Sequence, residues 1–125
     1  MTKCGRYGAS PADFDYTPET IRRSVERSMA RLHTTYLDVV YLHDVEFVAT
    51  SVAPRLVGNH IAALGDEAEA YGLQESSGYR VWGEGDQKVL DAIAELRKMQ
   101  AEGLIRHIGI SGAHLVSSLS RPRVL

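Results

Sequence analysis

Three features of this sequence encode an α/β architecture with parallel strands. Residues 37–42, "LDVVYL", form a nearly continuous apolar run with two β-branched valines, the composition of a strand buried on both faces. Residues 18–32 and 86–102 repeat apolar side chains at helical spacing between start and stop signals. Extended and helical segments alternate along the chain, the order produced by right-handed crossovers between parallel strands.

The first element is a short strand ending near Lys3, before the turn Gly5-Arg6-Tyr7-Gly8. Thr17, Pro18 and Glu19 predict a helix start: a hydroxyl able to cap free N–H groups, a proline at the first helical position and a carboxylate at the positive end of the dipole. Ile21, Val25, Met29 and Leu32 then make an apolar stripe, with Arg22, Arg23, Glu26 and Arg27 elsewhere around the wheel. His33 closes this helix, where a positive charge suits the dipole.

The buried strand over 37–42 follows. From 47 to about 85 periodicity is lost amid Pro54, Gly58, Gly65, Gly72, Gly78, Gly83 and Gly85, and only "IAALGDEAEAYG" has helical potential. A segment of this length inside a domain reads as a functional loop or insertion. Asp86 is the expected N-cap of the second helix, which carries Val89, Ile93, Leu96 and Gln100 on one face, Leu90 and Met99 beside it, and Gly103 as its terminator. Residues 104–110, with Ile105, Ile108 and Ile110, predict the last strand, and the remaining tail has no strong pattern. No repeat or linker divides residues 1–125, so one domain is expected.

Fourteen Lys and Arg against sixteen Asp and Glu give a net charge of −2, so no broad basic surface is available for nucleic acid or anionic lipid. Cys4 is the single cysteine and is expected to be a passive thiol in a reducing compartment. No apolar run approaches the ~20 residues of a membrane span, and the N-terminus lacks the pattern of a secretory signal. A cytoplasmic protein without nucleic-acid or membrane partners is expected.

In parallel α/β folds active sites are assembled at the C-terminal ends of strands. Three places fit: Lys3 at the end of the first strand, His43 directly after the buried strand, and Ser111-Gly112 after "IRHIGI". Neighbouring strands would bring these side chains to one rim. Each also has a plain structural reading: a hydrogen-bonded histidine, a solvated lysine and an ordinary turn. Asp44 and Glu46 with His43 form a mixed set of the kind that binds divalent ions at barrel rims, which would suit a metal-dependent hydrolase. Capping or ion pairing is their preferred role, and no metal is expected. Walker-type and GxGxxG patterns are absent.

"TKCGRYG", "FDYTPETIRRSVERSMARLHTTYLDVVYLHDVEFV" and "GEGDQKVLDAIAELRKMQAEGLIRHIGISG" together resemble the aldo-keto reductases over residues 2–112. Within that superfamily "YLHDVEFV", the long insertion and "GISG" resemble the D-arabinose and L-galactose dehydrogenases. The resemblance implies a partial (β/α)8 TIM barrel of about three βα units, since a complete barrel runs to about 250 residues. It implies a NAD or NADP cofactor, an aldose or other aldehyde as substrate, and a tetrad of Asp, Tyr, Lys and His. By motif the Lys is Lys3 and the His is His43; the Asp and Tyr belong to βα units that would precede Met1. Ser111 stands where the family contacts the nicotinamide carboxamide, and the Asn that usually follows is Gly112. A truncated, non-catalytic fragment of such an enzyme is the alternative expectation.

Overall fold

Parallel pairing of three strands organises the protein, for which a computed structural model describes residues 1–50, 65–66 and 80–112. Strand β1 (Thr2–Cys4), helix α1 (Pro18–Leu32), strand β2 (Leu37–His43), helix α2 (Glu84–Ala101) and strand β3 (Ile105–Ser111) follow in chain order, with 3₁₀ turns at Pro11–Asp13 and Val45–Phe47. The sheet order is β1-β2-β3, every pair parallel. The predicted strand-helix alternation is therefore what forms. Most of the irregular stretch expected over 47–85, including its helical "IAALGDEAEAYG", lies outside the described residues, as do His60, His114 and the tail.

One face of the sheet carries the core. Cys4, Val40 and Leu42 pack with Ile21 and Val25 of α1 and with Val89, Ala92, Leu96 and Met99 of α2, all essentially inaccessible to solvent. Each buried Leu, Ile, Val or Met contributes about 1.5–3 kcal/mol relative to exposure. The other face differs from expectation. Leu37 and its partner Ile105 are buried at the start of the strands, but Val39, Tyr41 and His43 further along that side of β2 are only half-buried.

The helix stripes also shift in detail. Leu32 is exposed at the end of α1, and α2 buries Val89, Ala92, Leu96 and Met99 while Gln100 turns outward and donates to the Arg106 carbonyl. Arg22 does not simply face water. It reaches α2, where it meets the buried carboxylate of Glu95 at 2.5 Å and grips Glu102 through two hydrogen bonds of 2.8 and 2.9 Å. A buried carboxylate stays ionised at tolerable cost only with such a partner.

Thr17 occupies the N-cap position of α1 as expected, but neither expected cap side chain works as the sequence suggests. The Thr17 hydroxyl makes no capping bond and instead donates to Asp15, whose carboxylate also accepts from the Thr17 N–H and the Thr20 hydroxyl. Slight burial pushes the Asp15 carboxyl up, but those bonds and Arg23 nearby hold it below its ordinary value. Helix α2 starts at Glu84, two residues before Asp86. Its cap comes from across the insertion: the Thr50 hydroxyl accepts from the Gly85 and Asp86 N–H groups, and the Asp86 carboxylate accepts from Thr50 and Trp82 N–H. This is the reciprocal logic of a capping box built from residues far apart in sequence. Asp86→Ala should destabilise the protein by about 1–3 kcal/mol in urea unfolding, because it strands two part-buried donors.

Candidate functional site

Strand register decides what meets at the rim. Lys3 pairs with Tyr41, Tyr41 with Gly109, and His43 with Ser111. Paired residues of parallel strands share a face, as do alternate residues of one strand. Lys3, His43 and Ser111 therefore lie on the same face, opposite Cys4, Val40 and Leu42. From standard strand spacings His43 and Ser111 stand about 5 Å apart across neighbouring strands, and Lys3 about 8 Å from His43 on the diagonal. The three residues expected at strand ends are thus brought together.

Their environments differ usefully. Lys3 is exposed, and the His43 side chain is 25% exposed. The Ser111 hydroxyl is buried and has no hydrogen-bond partner among the described residues. Buried hydroxyls are normally satisfied, so this one fits a ligand group that hydrogen-bonds at the rim. The Tyr41 ring covers Gly109, where an added Cβ would collide with it.

The strand ends are held by contacts that no local pattern announces. The Tyr16 hydroxyl, carried on a buried ring, donates to the His43 carbonyl at 2.6 Å. That ring packs against Gly5, whose φ of +97° and lack of a Cβ both demand glycine. Asp44 adopts a left-handed conformation (φ 61°), and its N–H donates to the Ser111 carbonyl at 2.5 Å, joining the ends of β2 and β3. Its carboxylate pairs with Arg6 at 2.5 Å and lies 3.3 Å from His43 Nε2. Arg6 in turn stacks over Phe14, which contacts Phe47. Ion pairing, the preferred role for Asp44, is what it does. Among the described residues no three His, Cys, Asp or Glu side chains gather as a metal site.

Two buried acids sit beneath this rim without belonging to its chemistry. Burial pushes the Cys4 thiol from 9.0 up to about 12, and the thiol donates weakly to the Tyr41 carbonyl. A thiol so held is a poor nucleophile. Burial, then the nearby Cys4, Asp44, Glu46 and Tyr7, also raises the Tyr16 phenol, which makes it a structural hook and not an acid/base group. An acid whose folded-state pKa exceeds its unfolded value contributes stability that is complete below the unfolded value and lost as pH rises through the folded one. Stability should therefore fall progressively between pH 9.0 and about 12, and Cys4→Ala should flatten that decline in unfolding titrations. Native Cys4 should resist iodoacetamide and react once the protein is unfolded.

Tyr16 and Arg6 are the site residues that sequence reasoning missed. Tyr16 acts 27 positions away from His43, and Arg6 acts 38 positions away from Asp44. The only local signal is that Arg6 lies in a glycine-bounded turn after a strand.

Comparison with known proteins follows the same lines. The family model for the aldo/keto reductase family matches residues 1–121. D-arabinose 1-dehydrogenase of Saccharomyces cerevisiae is 37% identical over 111 residues, 89% of this chain and 22% of that protein. L-galactose dehydrogenase of Arabidopsis thaliana is 31% identical over 114 residues, 91% of this chain and 24% of that protein. A holo-form aldo-keto reductase structure from Bacillus halodurans aligns with a TM-score of 0.49 at 21% identity, over 90% of this chain and 26% of that one. The chain thus spans under a quarter of the length of these curated relatives.

Proposed function

Because the chain belongs to the aldo/keto reductase family, and its parallel strands and helices are successive βα units of a (β/α)8 barrel, we propose that it is part of an NAD(P)-dependent oxidoreductase. The reaction is hydride transfer between a nicotinamide and an aldose or other small aldehyde or alcohol, as in a D-arabinose 1-dehydrogenase. We place the protein in the cytoplasm, with residues 1–125 belonging to one catalytic domain. No described helix is long and apolar enough to cross a membrane.

The observation that carries this reading is the convergence of Lys3, His43 and Ser111 on one face at the C-terminal ends of three adjacent strands. When bound, the nicotinamide supplies or accepts the hydride. His43 donates a hydrogen bond to the substrate oxygen and stabilises charge developing there. The Lys3 ammonium favours the deprotonated form of a neighbouring acid/base group by direct charge interaction. Ser111, whose buried hydroxyl has no hydrogen-bond partner among the described residues, would hold the nicotinamide carboxamide.

The test is dinucleotide reduction by the protein as its cells make it, offered NAD+ and NADP+ with a panel of aldoses. Formation of the corresponding lactone from D-arabinose or a close relative is expected. No reduction of either dinucleotide with any aldose or alcohol would overturn the reading.

A further inference from the structure

The turn after β2 brings a second polar group to the end of β3. Glu46, in the 3₁₀ turn Val45–Phe47, is 8% exposed, and its carboxylate lies directly against Gly112. A Cβ built at position 112 would overlap Glu46 Oε2. The missing side chain at 112 and the presence of the Glu46 carboxylate are therefore one feature, since any larger residue there would expel the carboxylate. The arrangement is fixed on both sides. Asp44 N–H bonds to the Ser111 carbonyl, and the Val48 and Ala49 N–H groups close the turn onto the Val45 carbonyl.

Next to Gly112 stands Ser111, with its buried hydroxyl unpartnered among the described residues. The Ser111 hydroxyl and the carboxylate against Gly112 belong to consecutive positions at the end of β3, a donor and an acceptor that together complement a primary amide: C=O to accept, N–H to donate. A carboxylate offers about four lone-pair sites and so can accept from more than one donor.

We propose that Glu46 is the acceptor for the carboxamide N–H of the nicotinamide, taking over at this site the role that the usual Asn at position 112 would have. This rests on the oxidoreductase reading above. Gly112 makes the exchange possible by yielding its side-chain volume to the carboxylate.

The experiment measures binding and needs no turnover. Dissociation constants of NAD+, NADP+ and their 3-acetylpyridine analogues, in which an acetyl group keeps the carbonyl but lacks the N–H donors, are measured by calorimetry. The native protein should bind the carboxamide forms about tenfold or more tightly than the acetyl forms, the size expected for one hydrogen bond to a charged acceptor. Glu46→Ala should bind both forms alike, at the level of the native protein with the acetyl form. Glu46→Gln, which retains an acceptor oxygen and nearly the same volume, should keep an intermediate preference.

Equal binding of both forms by the native protein would overturn the proposal without any variant being needed. So would an undiminished preference in Glu46→Ala. In either case the oxidoreductase reading survives, because the dinucleotide still binds. A native protein that binds no dinucleotide would overturn both.

Discussion

On the proposed oxidoreductase function, replacing His43 with alanine should lower kcat by about 10²–10³-fold while leaving KM for the sugar within a few-fold, because a preorganised donor to the reacting oxygen acts mainly in the transition state. Lys3→Met should cost a comparable factor. The double variant should lose less than the product of the two, since groups acting on one reacting centre are not additive. Thermal unfolding separates this from a folding defect. Both side chains lie on the sheet face opposite the core, so neither substitution should shift the midpoint appreciably. Steady-state kinetics with the substrate identified by the aldose panel would decide. Activity within threefold of native in both variants would remove Lys3 and His43 from the chemistry.

Leu42→Ala should have the largest effect on stability, about 2–5 kcal/mol in urea unfolding. Leu42 is fully buried at the centre of the sheet, and one of its methyls fills space that a side chain at Gly5 would need. Truncation would leave a cavity where three elements meet: β2, the Gly5 turn and the Tyr16 ring packed on that turn. The tight backbone there cannot collapse into it, which places the cost toward the upper end. Leu42→Met, which conserves volume, should cost under about 1.5 kcal/mol. The site should respond as well, because Tyr16 holds the His43 carbonyl and a loosened ring lets the end of β2 drift. Loss of activity beyond the loss of folded protein is expected in Leu42→Ala and not in Leu42→Met.

Much of this architecture is legible in local sequence. The span of α1, its proline start, the apolar run of β2 and the glycine that ends α2 at φ +81° are all consequences of short-range rules. Periodicity selects the face, and proline and glycine punctuate. The same rules miss which side chains satisfy the helix starts. Thr17 and Asp86 have the right chemistry for an N-cap, yet Asp15 engages the first and Thr50 displaces the second. A cap is a competition among nearby oxygens, and a winner drawn from 35 residues away cannot be weighed from local sequence. Arg22 is a similar case. Its wheel position reads as solvated until a second helix presents Glu95 to it.

By itself the sequence determined that strands and helices alternate, that Lys3, His43 and Ser111 fall at strand ends, and that the family is that of the aldo/keto reductases. These follow from composition, spacing and motif, which depend on neighbours along the chain. Only the tertiary structure decided that the three residues share one face, that Tyr16 and Arg6 staple the rim, and that Glu46 fills the room left at Gly112. The reason is register. Shifting a strand by one residue would turn its side chains to the opposite face, and register is set by the summed packing of Val40, Leu42 and Cys4 against two helices, a quantity with no local signature.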